Sequence, residues 1–142
     1  MTRPVVVVDT NVVVSGLLTA EPTAPTHRIL NAMLDGRIRH LLSVGLLAEY
    51  REVMLRPRIQ KRHGLSVADV DVILQALAAN AMLRDPEVAG EEWPDPADAH
   101  LWALARAHAG AVLVTGDQAL LDHPAKGVVT KSPSEFVERV AL

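Results

Sequence analysis

Two aspartates each follow a short apolar run that has the composition of a buried strand. Asp9 comes directly after the four valines 5–8, and Asp117 lies three residues beyond the run AVLV at 111–114. An unpaired carboxylate in an apolar interior costs several kcal/mol, so each aspartate is expected at a strand end. Either could be only a turn residue or a helix N-cap. Parallel strands, however, end at one edge of a sheet and would bring the two aspartates together.

A third carboxylate, Glu49, lies in a helix that the apolar spacing predicts over residues 44–55. At about 100° per residue, the apolar face of this helix centres near Tyr50, and Glu49 lies about 100° from that centre. Glu52 lies about 160° away and is expected in solvent. Glu49 is therefore a boundary residue, either an ordinary surface side chain or part of an acidic site.

A fourth acid, Asp98, falls in the first turn of a helix predicted over residues 96–108, on the same side as Leu101 and Ala105. A negative charge near a helix N-terminus is favourable by itself, which is the plain structural explanation. Asp95 stands before Pro96 and could cap the helix or join the acidic cluster. The residues alone leave this choice open.

Carboxylates gathered at one edge would repel one another and raise each other's pKa unless a cation lay between them. Thr115 offers a further oxygen, and Gly116 allows a tight turn before Asp117. Oxygen ligands of this kind select Mg²⁺ or Mn²⁺, and two such ions about 4 Å apart can activate water and stabilise the leaving oxygen of a phosphodiester. The chain has no cysteine and no paired-histidine motif, which argues against a zinc enzyme.

The net charge of −3 hides two flanks of opposite sign. One flank could hold a polyanion such as the RNA backbone and the other could hold metal ions, or both could be solvated loops. The basic flank, opposed only by Glu52, contains Arg51, Arg56, Arg58, Lys61 and Arg62. The acidic flank contains Asp85, Glu87, Glu91, Glu92, Asp95 and Asp98.

The 142 residues, 49% of them hydrophobic, suit one globular domain over residues 1–142. No apolar run reaches the roughly 20 residues of a membrane helix, and Asp9 interrupts the opening run that could be mistaken for a signal peptide. We therefore expect no membrane association. The lack of cysteine fits a reducing compartment, and we expect a cytoplasmic protein.

Strand patterns alternate with helix patterns along the chain. This alternation predicts right-handed βαβ crossovers and a parallel sheet covered by helices. Within it, Gly36 is expected to end a helix, Pro57 to stop the next one, and Ser66 with Asp69 to form a capping box. Strands are predicted at 5–8, 39–44, 81–85, 111–117 and 127–130, and helices at 11–18, 27–34, 44–55, 66–80, 96–108 and 132–140.

Four segments together resemble the PIN-domain ribonucleases, and specifically the PIN-family toxins of bacterial toxin-antitoxin systems. VVVDTNVVVSGLL resembles the opening motif of the family and LLAEYREVMLRPRI its helix with a conserved acid. DPADAHLWALARAHAGAVLVTGDQALL resembles its most diagnostic segment, and GVVTKSPSEFV resembles its close. The resemblance covers nearly the whole chain.

The resemblance implies a three-layer α/β/α fold whose parallel five-stranded sheet has the order 3-2-1-4-5. It also implies a homodimer in many members and inhibition by an antitoxin encoded nearby. The spacing to LWALA matches the family motif and favours Asp98 over Asp95 as the third ligand. By resemblance, the acids that bind Mg²⁺ or Mn²⁺ and position a water to attack an RNA phosphodiester are Asp9, Glu49, Asp98 and Asp117, with Asn11 and Thr115 as polar supports.

Three other classes of protein share parts of this pattern. A response-regulator-like receiver also has an aspartate at a strand end, but it needs paired acids after the first strand. A dehalogenase-type phosphatase needs a second aspartate two residues after the first, where Asn11 stands. A PIN-like module that binds RNA or protein without cutting would also fit, because acids prove capacity and not turnover.

Overall fold

The computed structural model describes residues 4–88, 93, 95–140 and 142, and its centre is a five-stranded, all-parallel sheet. The strands are β1 (Val5–Val8), β2 (Arg39–Leu42), β3 (Ala81–Leu83), β4 (Val112–Val114) and β5 (Val129–Lys131). Their spatial order is β3-β2-β1-β4-β5, which confirms the expected order. Receivers of response regulators have the order 2-1-3-4-5, so the receiver alternative is wrong.

The central strand β1 carries the first aspartate of the site. All four of its residues are buried, and because successive side chains of a strand point to opposite faces, both faces of the sheet are covered there. β1 pairs with β4 in parallel, with Val8 in register with Val114. Asp9 therefore leaves β1 at the same edge at which the chain leaves β4.

Helices flank the sheet, and most agree with the sequence pattern. Ser66 and Asp69 form the predicted capping box, and Ser132 with Glu135 forms a second one at the last helix. Gly36, beyond the end of its helix, has the positive φ of 76° that a glycine permits. The helices are α1 (Thr10–Leu18), α2 (Pro25–Leu34), α3 (Val44–Met54), α4 (Pro57–His63), α5 (Val67–Ala79), α6 (Ala99–Arg106), α7 (Gln118–Asp122) and α8 (Pro133–Arg139).

The sequence pattern did not predict α4 and α7. Both are too short for an apolar periodicity to emerge, and α4 buries none of its residues. Pro57 was expected only to stop α3, but it also begins α4, because its fixed φ suits the first helical position. The basic flank, for which a solvated loop was one of two alternatives, is thus largely helical, with Arg51 inside α3 as predicted.

The helix predicted over residues 96–108 is shorter than expected. Pro96–Asp98 form a 3-10 turn, and α6 begins at Ala99, with Asp98 at its N-cap position rather than in its first turn. Asp95 caps the 3-10 turn by accepting a hydrogen bond from the Ala97 N–H at 2.9 Å. This cap tightens the entry to α6 and sets the position of Asp98.

The core lies on both sides of the central strands and is built from aliphatic side chains around a few large residues. Trp102 and Tyr50 are the largest fully buried side chains, and Ile29, Met33 and Leu113 pack with them. Within the described residues, no helix combines the length and the apolar character that crossing a membrane requires.

His40 in β2 is a buried titratable residue on the strand next to β1. Its side chain has 0% exposure, and among the described residues neither ring nitrogen has a partner with hydrogen-bond geometry. Burial lowers the pKa of His40 to about 4, although the nearby backbone of Leu77 opposes this shift. The ring is therefore neutral at pH 7 in the folded protein.

We expect His40 to make the fold sensitive to acid. The unfolded chain binds a proton here at a pKa near 6.5 and the folded chain only near 4. The free energy of unfolding therefore falls as the pH drops from about 6.5 to 4, by about 3 kcal/mol at most. Denaturant unfolding at pH 7 and pH 4.5 measures the difference. His40→Leu should lose this part of the pH dependence, whereas the surface variant His108→Leu should keep it. If the free energy of unfolding changes with pH equally in His40→Leu and in the unaltered chain, the assignment is refuted.

Candidate active site

Asp9 is a buried carboxylate at the carboxyl end of β1, with 7% exposure. One oxygen, Oδ1, accepts the N–H of Thr10 at 2.8 Å and so caps α1. The other, Oδ2, accepts the Thr115 hydroxyl at 2.7 Å and the Asn11 side-chain amide at 3.2 Å. Three donors from two different strand ends therefore fix the orientation of this carboxylate.

Thr115 joins Asp9 to Asp117 across the edge of the sheet. It is fully buried just past β4, and its hydroxyl oxygen accepts the N–H of Asp117 at 3.0 Å while its proton goes to Asp9. Asp117 is exposed and caps α7 by accepting the Ala119 N–H at 2.9 Å. The strand-end placement thus brings Asp9 and Asp117 to one hydroxyl group.

Asn11 ties the start of α1 to the turn after β4. Its Oδ1 accepts the N–H of Gly116 at 3.0 Å, while its Nδ2 donates to Asp9. Gly116 does not have a positive φ, so a tight turn does not require it. A Cβ atom there would lie 3.3 Å from Asn11 Oδ1, so the glycine instead permits the close approach of Asn11.

Glu49 lies on α3 and is half-buried, as its boundary position predicted, while Glu52 is exposed. Glu49 Oε2 accepts a hydrogen bond from the hydroxyl of Thr10, the residue directly after Asp9. Its Oε1 lies 3.6 Å from Nε2 of His100 on α6. Contacts with α1 and α6 therefore hold this carboxylate beside Asp9.

Tyr50 anchors α3 to the end of β1. Its buried hydroxyl donates to the carbonyl oxygen of Val8, the last residue of β1 and the neighbour of Asp9. Burial raises the pKa of Tyr50 well above its usual value, and the charges of Asp9 and Glu49 raise it further. The phenol remains a neutral donor. Because Glu49 precedes Tyr50 on α3, the hydrogen bond from Tyr50 to Val8 also fixes the position of Glu49 relative to the end of β1.

Asp98 is the least constrained of the four acids. It is partly buried at the N-cap position of α6 and accepts no capping hydrogen bond. Asp95, in contrast, is exposed and uses its carboxylate to cap the 3-10 turn. Both line a cavity of about 270 Å³ together with Asp117 and His123.

The acids influence one another through their charges. The pKa of Asp9 is raised, first by burial and then by Glu49 and Asp117, although the hydrogen bonds from Thr115 and Thr10 oppose the shift. The pKa of Asp98 is also raised, first by burial and then by the charges of Asp95, Asp9 and Asp117. Negative charge is therefore crowded at this edge of the sheet, and a cation would relieve it.

The donor set fits a hard divalent cation. It consists of carboxylate and hydroxyl oxygens, the ligands that Mg²⁺ and Mn²⁺ prefer. Among the residues that the structure describes, no three His, Asp or Glu side chains stand close enough together to hold an ion as they are. Asp98, which has no capping bond, and the exposed Asp117 are the side chains freest to turn toward Asp9.

The basic flank is partly neutralised by its own Glu52 and by Asp71, an acid that the sequence analysis did not place beside it. Arg51 pairs with Asp71 of α5 at 2.8 Å, and Arg56 pairs with Glu52 at 3.1 Å. In the acidic flank, Asp85 and Glu87 are exposed, and Glu91 and Glu92 lie outside the described residues. Within the basic flank, the residues for which the described chain gives no ion pair are Arg58, Lys61 and Arg62, all on α4.

Comparison with known proteins identifies the family. A family model described as PIN domain matches residues 5–119, and the chain belongs to the PIN-domain family. PIN domains are generally nucleases, so the fold is of a nuclease type. No curated protein matches the sequence. The match ends at residue 119, and the assignment of residues 1–142 to one domain stays a prediction.

Three residues at this edge were missed by the sequence analysis: Thr10, Tyr50 and His100. Thr10 stands inside the triplet Asp-Thr-Asn, so its position was a signal, but its partner Glu49 is 39 residues away. Tyr50 was taken only as the centre of an apolar face, and nothing in that pattern indicates the hydrogen bond to Val8. His100 lies two residues after Asp98, but its proximity to Glu49 depends on how α6 packs beside α3.

Proposed function

We propose that this protein is a Mg²⁺- or Mn²⁺-dependent endoribonuclease that hydrolyses phosphodiester bonds of RNA. The observation that carries the proposal is the buried carboxylate of Asp9, held at the edge of a PIN-domain sheet by Thr115, whose hydroxyl oxygen also accepts the backbone N–H of Asp117. Burial raises the pKa of Asp9 and so opposes its charged form, and carboxylates perturbed in this way are concentrated at functional sites. A bound cation would stabilise the ionised carboxylate of Asp9, which explains why the charge is kept at this position.

In this proposal four carboxylates hold the metal: Asp9, Glu49, Asp98 and Asp117. Asn11 and Thr115 orient Asp9, and Thr10 orients Glu49. Asp95 caps the 3-10 turn before α6, and its negative charge acts on the neighbouring Asp98. When bound, divalent ions of this kind polarise the phosphoryl oxygens and lower the pKa of the attacking water.

The residues of the chain supply placement and electrostatics. Asp9 is the most fixed of the acids because three donors hold it, and it therefore sets where the phosphate is presented. Glu49 and Asp117 stand on different elements near it, where either can accept a proton from the attacking water. The less constrained Asp98 can adjust its position as the phosphate enters.

We propose that α4 contacts the RNA backbone. Arg58, Lys61 and Arg62 are exposed there and supply the positive charge that a polyanion requires. Arg51 and Arg56, which the basic flank also offered, are engaged with Asp71 and Glu52 and would contribute less. The net charge of −3 makes such a local patch necessary for binding nucleic acid.

The biological setting is also a proposal. The four sequence segments resemble PIN-family toxins, which supports a toxin controlled by an antitoxin protein, a homodimeric state and a cytoplasmic location. The neighbouring open reading frame tests the first point most cheaply. A short DNA-binding protein encoded there would support the toxin assignment, and a different neighbour would favour RNA processing.

Cleavage of defined oligonucleotides tests the proposed activity. The purified chain is incubated with single-stranded RNA, and with DNA of the same sequence, in Mn²⁺, in Mg²⁺ and with EDTA. We expect cleavage of RNA with either metal and none with EDTA, because the four acids repel the phosphate without a cation. RNA that is bound but left intact in both metals would overturn the proposal in favour of a non-catalytic PIN-like module. The distance between the acids, no three of which among the described residues could hold an ion as they stand, would agree with that result.

A further inference from the structure

A groove of about 460 Å³ opens beside the acidic edge, between α1 and α4. Asn11, which donates to Asp9, lines the end nearest the acids. Ser15 follows on the same helix and Thr19 directly after its end, and Arg62 of α4 stands on the opposite wall. At about 1.5 Å per residue, the α1 wall from Asn11 to Thr19 is about 12 Å long. The groove therefore runs from the acids along α1, with the guanidinium of Arg62 facing it.

The floor of the groove is apolar. Val14 and Leu18 of α1 and Val53 of α3 line it, and Val14 is buried under the groove. A flat ring could lie against these aliphatic side chains while its polar edge meets the oxygen of Ser15, whose proton goes to Thr26, and the hydroxyl proton of Thr19, whose oxygen accepts the N–H of Glu21. An aliphatic floor with hydroxyls on one wall and a guanidinium on the other matches a nucleotide, which has an apolar base face, polar base edges and a phosphate.

We propose that this groove binds the nucleotide next to the scissile phosphate in single-stranded RNA. The inference rests on the proposed ribonuclease function, since a phosphate held near Asp9 leaves the adjacent nucleotide at Asn11, where the groove begins. Arg62 then contacts the following phosphate, and the base lies on Val14 and Leu18. A duplex has no splayed base to place there, so the groove selects single strands.

Arg62 is well placed for this contact because α4 is firmly attached. The N–H of Leu65 donates to Nδ1 of His63 at 2.9 Å, so Nε2 of that ring carries the proton and donates to the carbonyl oxygen of Met54 at 2.8 Å. Gln60 donates to the carbonyl oxygen of Leu65 at 3.1 Å. The bond from His63 to Met54 fixes α4 to the end of α3, and the two bonds with Leu65 hold the chain that follows α4. The described chain gives Arg62 no ion pair that competes with a phosphate.

Binding can be measured apart from cleavage in an Asp9→Asn background, with a fluorescent single-stranded RNA and its anisotropy. Ser15 and Arg62 are exposed, so Ser15→Leu, which fills the groove, and Arg62→Ala should both fold. Leucine has no aromatic face on which a base could stack, and we expect Ser15→Leu to weaken binding about tenfold. Arg62→Ala should weaken it and reduce the salt slope by about one. Arg139→Ala on α8 removes the same charge elsewhere and should change neither value.

A scan with single abasic nucleotides tests whether a base occupies the groove. One abasic position should weaken binding to the Asp9→Asn protein about tenfold, and the same position should cause no further loss when Ser15→Leu is added. Equal binding by all variants, or an abasic effect that Ser15→Leu does not change, would overturn the nucleotide assignment. Cleavage by the unaltered chain is measured separately. The nucleotide assignment of the groove can therefore be refuted while the nuclease activity is confirmed, and the nuclease activity can be refuted while the groove still binds a nucleotide.

Discussion

The Asp9→Asn variant should lose metal-dependent RNA cleavage by a factor on the order of 10²–10⁴. Asparagine keeps one oxygen for the Thr10 N–H, so the cap of α1 can persist. It removes the negative charge that draws the cation and places an amide where Asp9 accepts from Thr115 and Asn11. Single-turnover rates with saturating Mn²⁺ measure the loss, and the fold is checked by thermal unfolding.

The matched control is Asp35→Asn. Asp35 follows α2 at the opposite edge of the sheet, is exposed and pairs with Arg37 at 2.9 Å, so the same chemical change there should leave cleavage unaltered. Cleavage that survives in Asp9→Asn at the full rate would point to a contaminating nuclease or to a site elsewhere. A loss shared by Asp35→Asn would mean that the assay reports folding rather than chemistry.

Divalent metal should stabilise the folded chain. Asp98→Asn should be more stable than the unaltered chain without metal and less stable than it with metal. An ion that binds only the folded state at about 100 times its Kd adds about 2.7 kcal/mol, which corresponds to a Tm increase of about 5–10 °C. Asp98 has a raised pKa and accepts no capping bond, so asparagine relieves repulsion at little structural cost. In EDTA the variant should melt above the unaltered chain, and in Mn²⁺ it should melt below it.

Thermal unfolding in EDTA and in a series of Mn²⁺ concentrations measures both halves of this reversal. Asp35→Asn again serves as the control and should follow the unaltered chain in metal dependence. An Asp98→Asn protein that is less stable in EDTA but gains as much from Mn²⁺ would show that Asp98 serves the entry to α6 and not the metal.

The placement of Asp9 and Asp117 could be predicted because it follows from strand ends. A buried apolar run followed by a carboxylate gives the position along the chain, and parallel pairing of β1 with β4 gives the shared edge. The order of the strands came from the resemblance to PIN domains, since alternating patterns alone do not order a sheet. Both parts depend on backbone regularities that a sequence displays directly.

The details that orient the acids could not be predicted in the same way. The bond from Thr10 to Glu49 and the pairing of Arg51 with Asp71 join residues 39 and 20 positions apart, and periodicity says nothing about such contacts. Gly116 was assigned to a turn, because the close approach of Asn11 exists only in three dimensions. Side-chain networks depend on packing angles between helices, which apolar spacing leaves undetermined.

Calorimetric titration of Mn²⁺ into the metal-free protein at neutral pH tests most directly whether these carboxylates form a cation site. The unaltered chain and Asp35→Asn should bind Mn²⁺ saturably, and Asp9→Asn should show no binding at the same concentrations. Equal affinity in Asp9→Asn, or no binding by the unaltered chain, would contradict the assignment of Asp9 as the centre of the site.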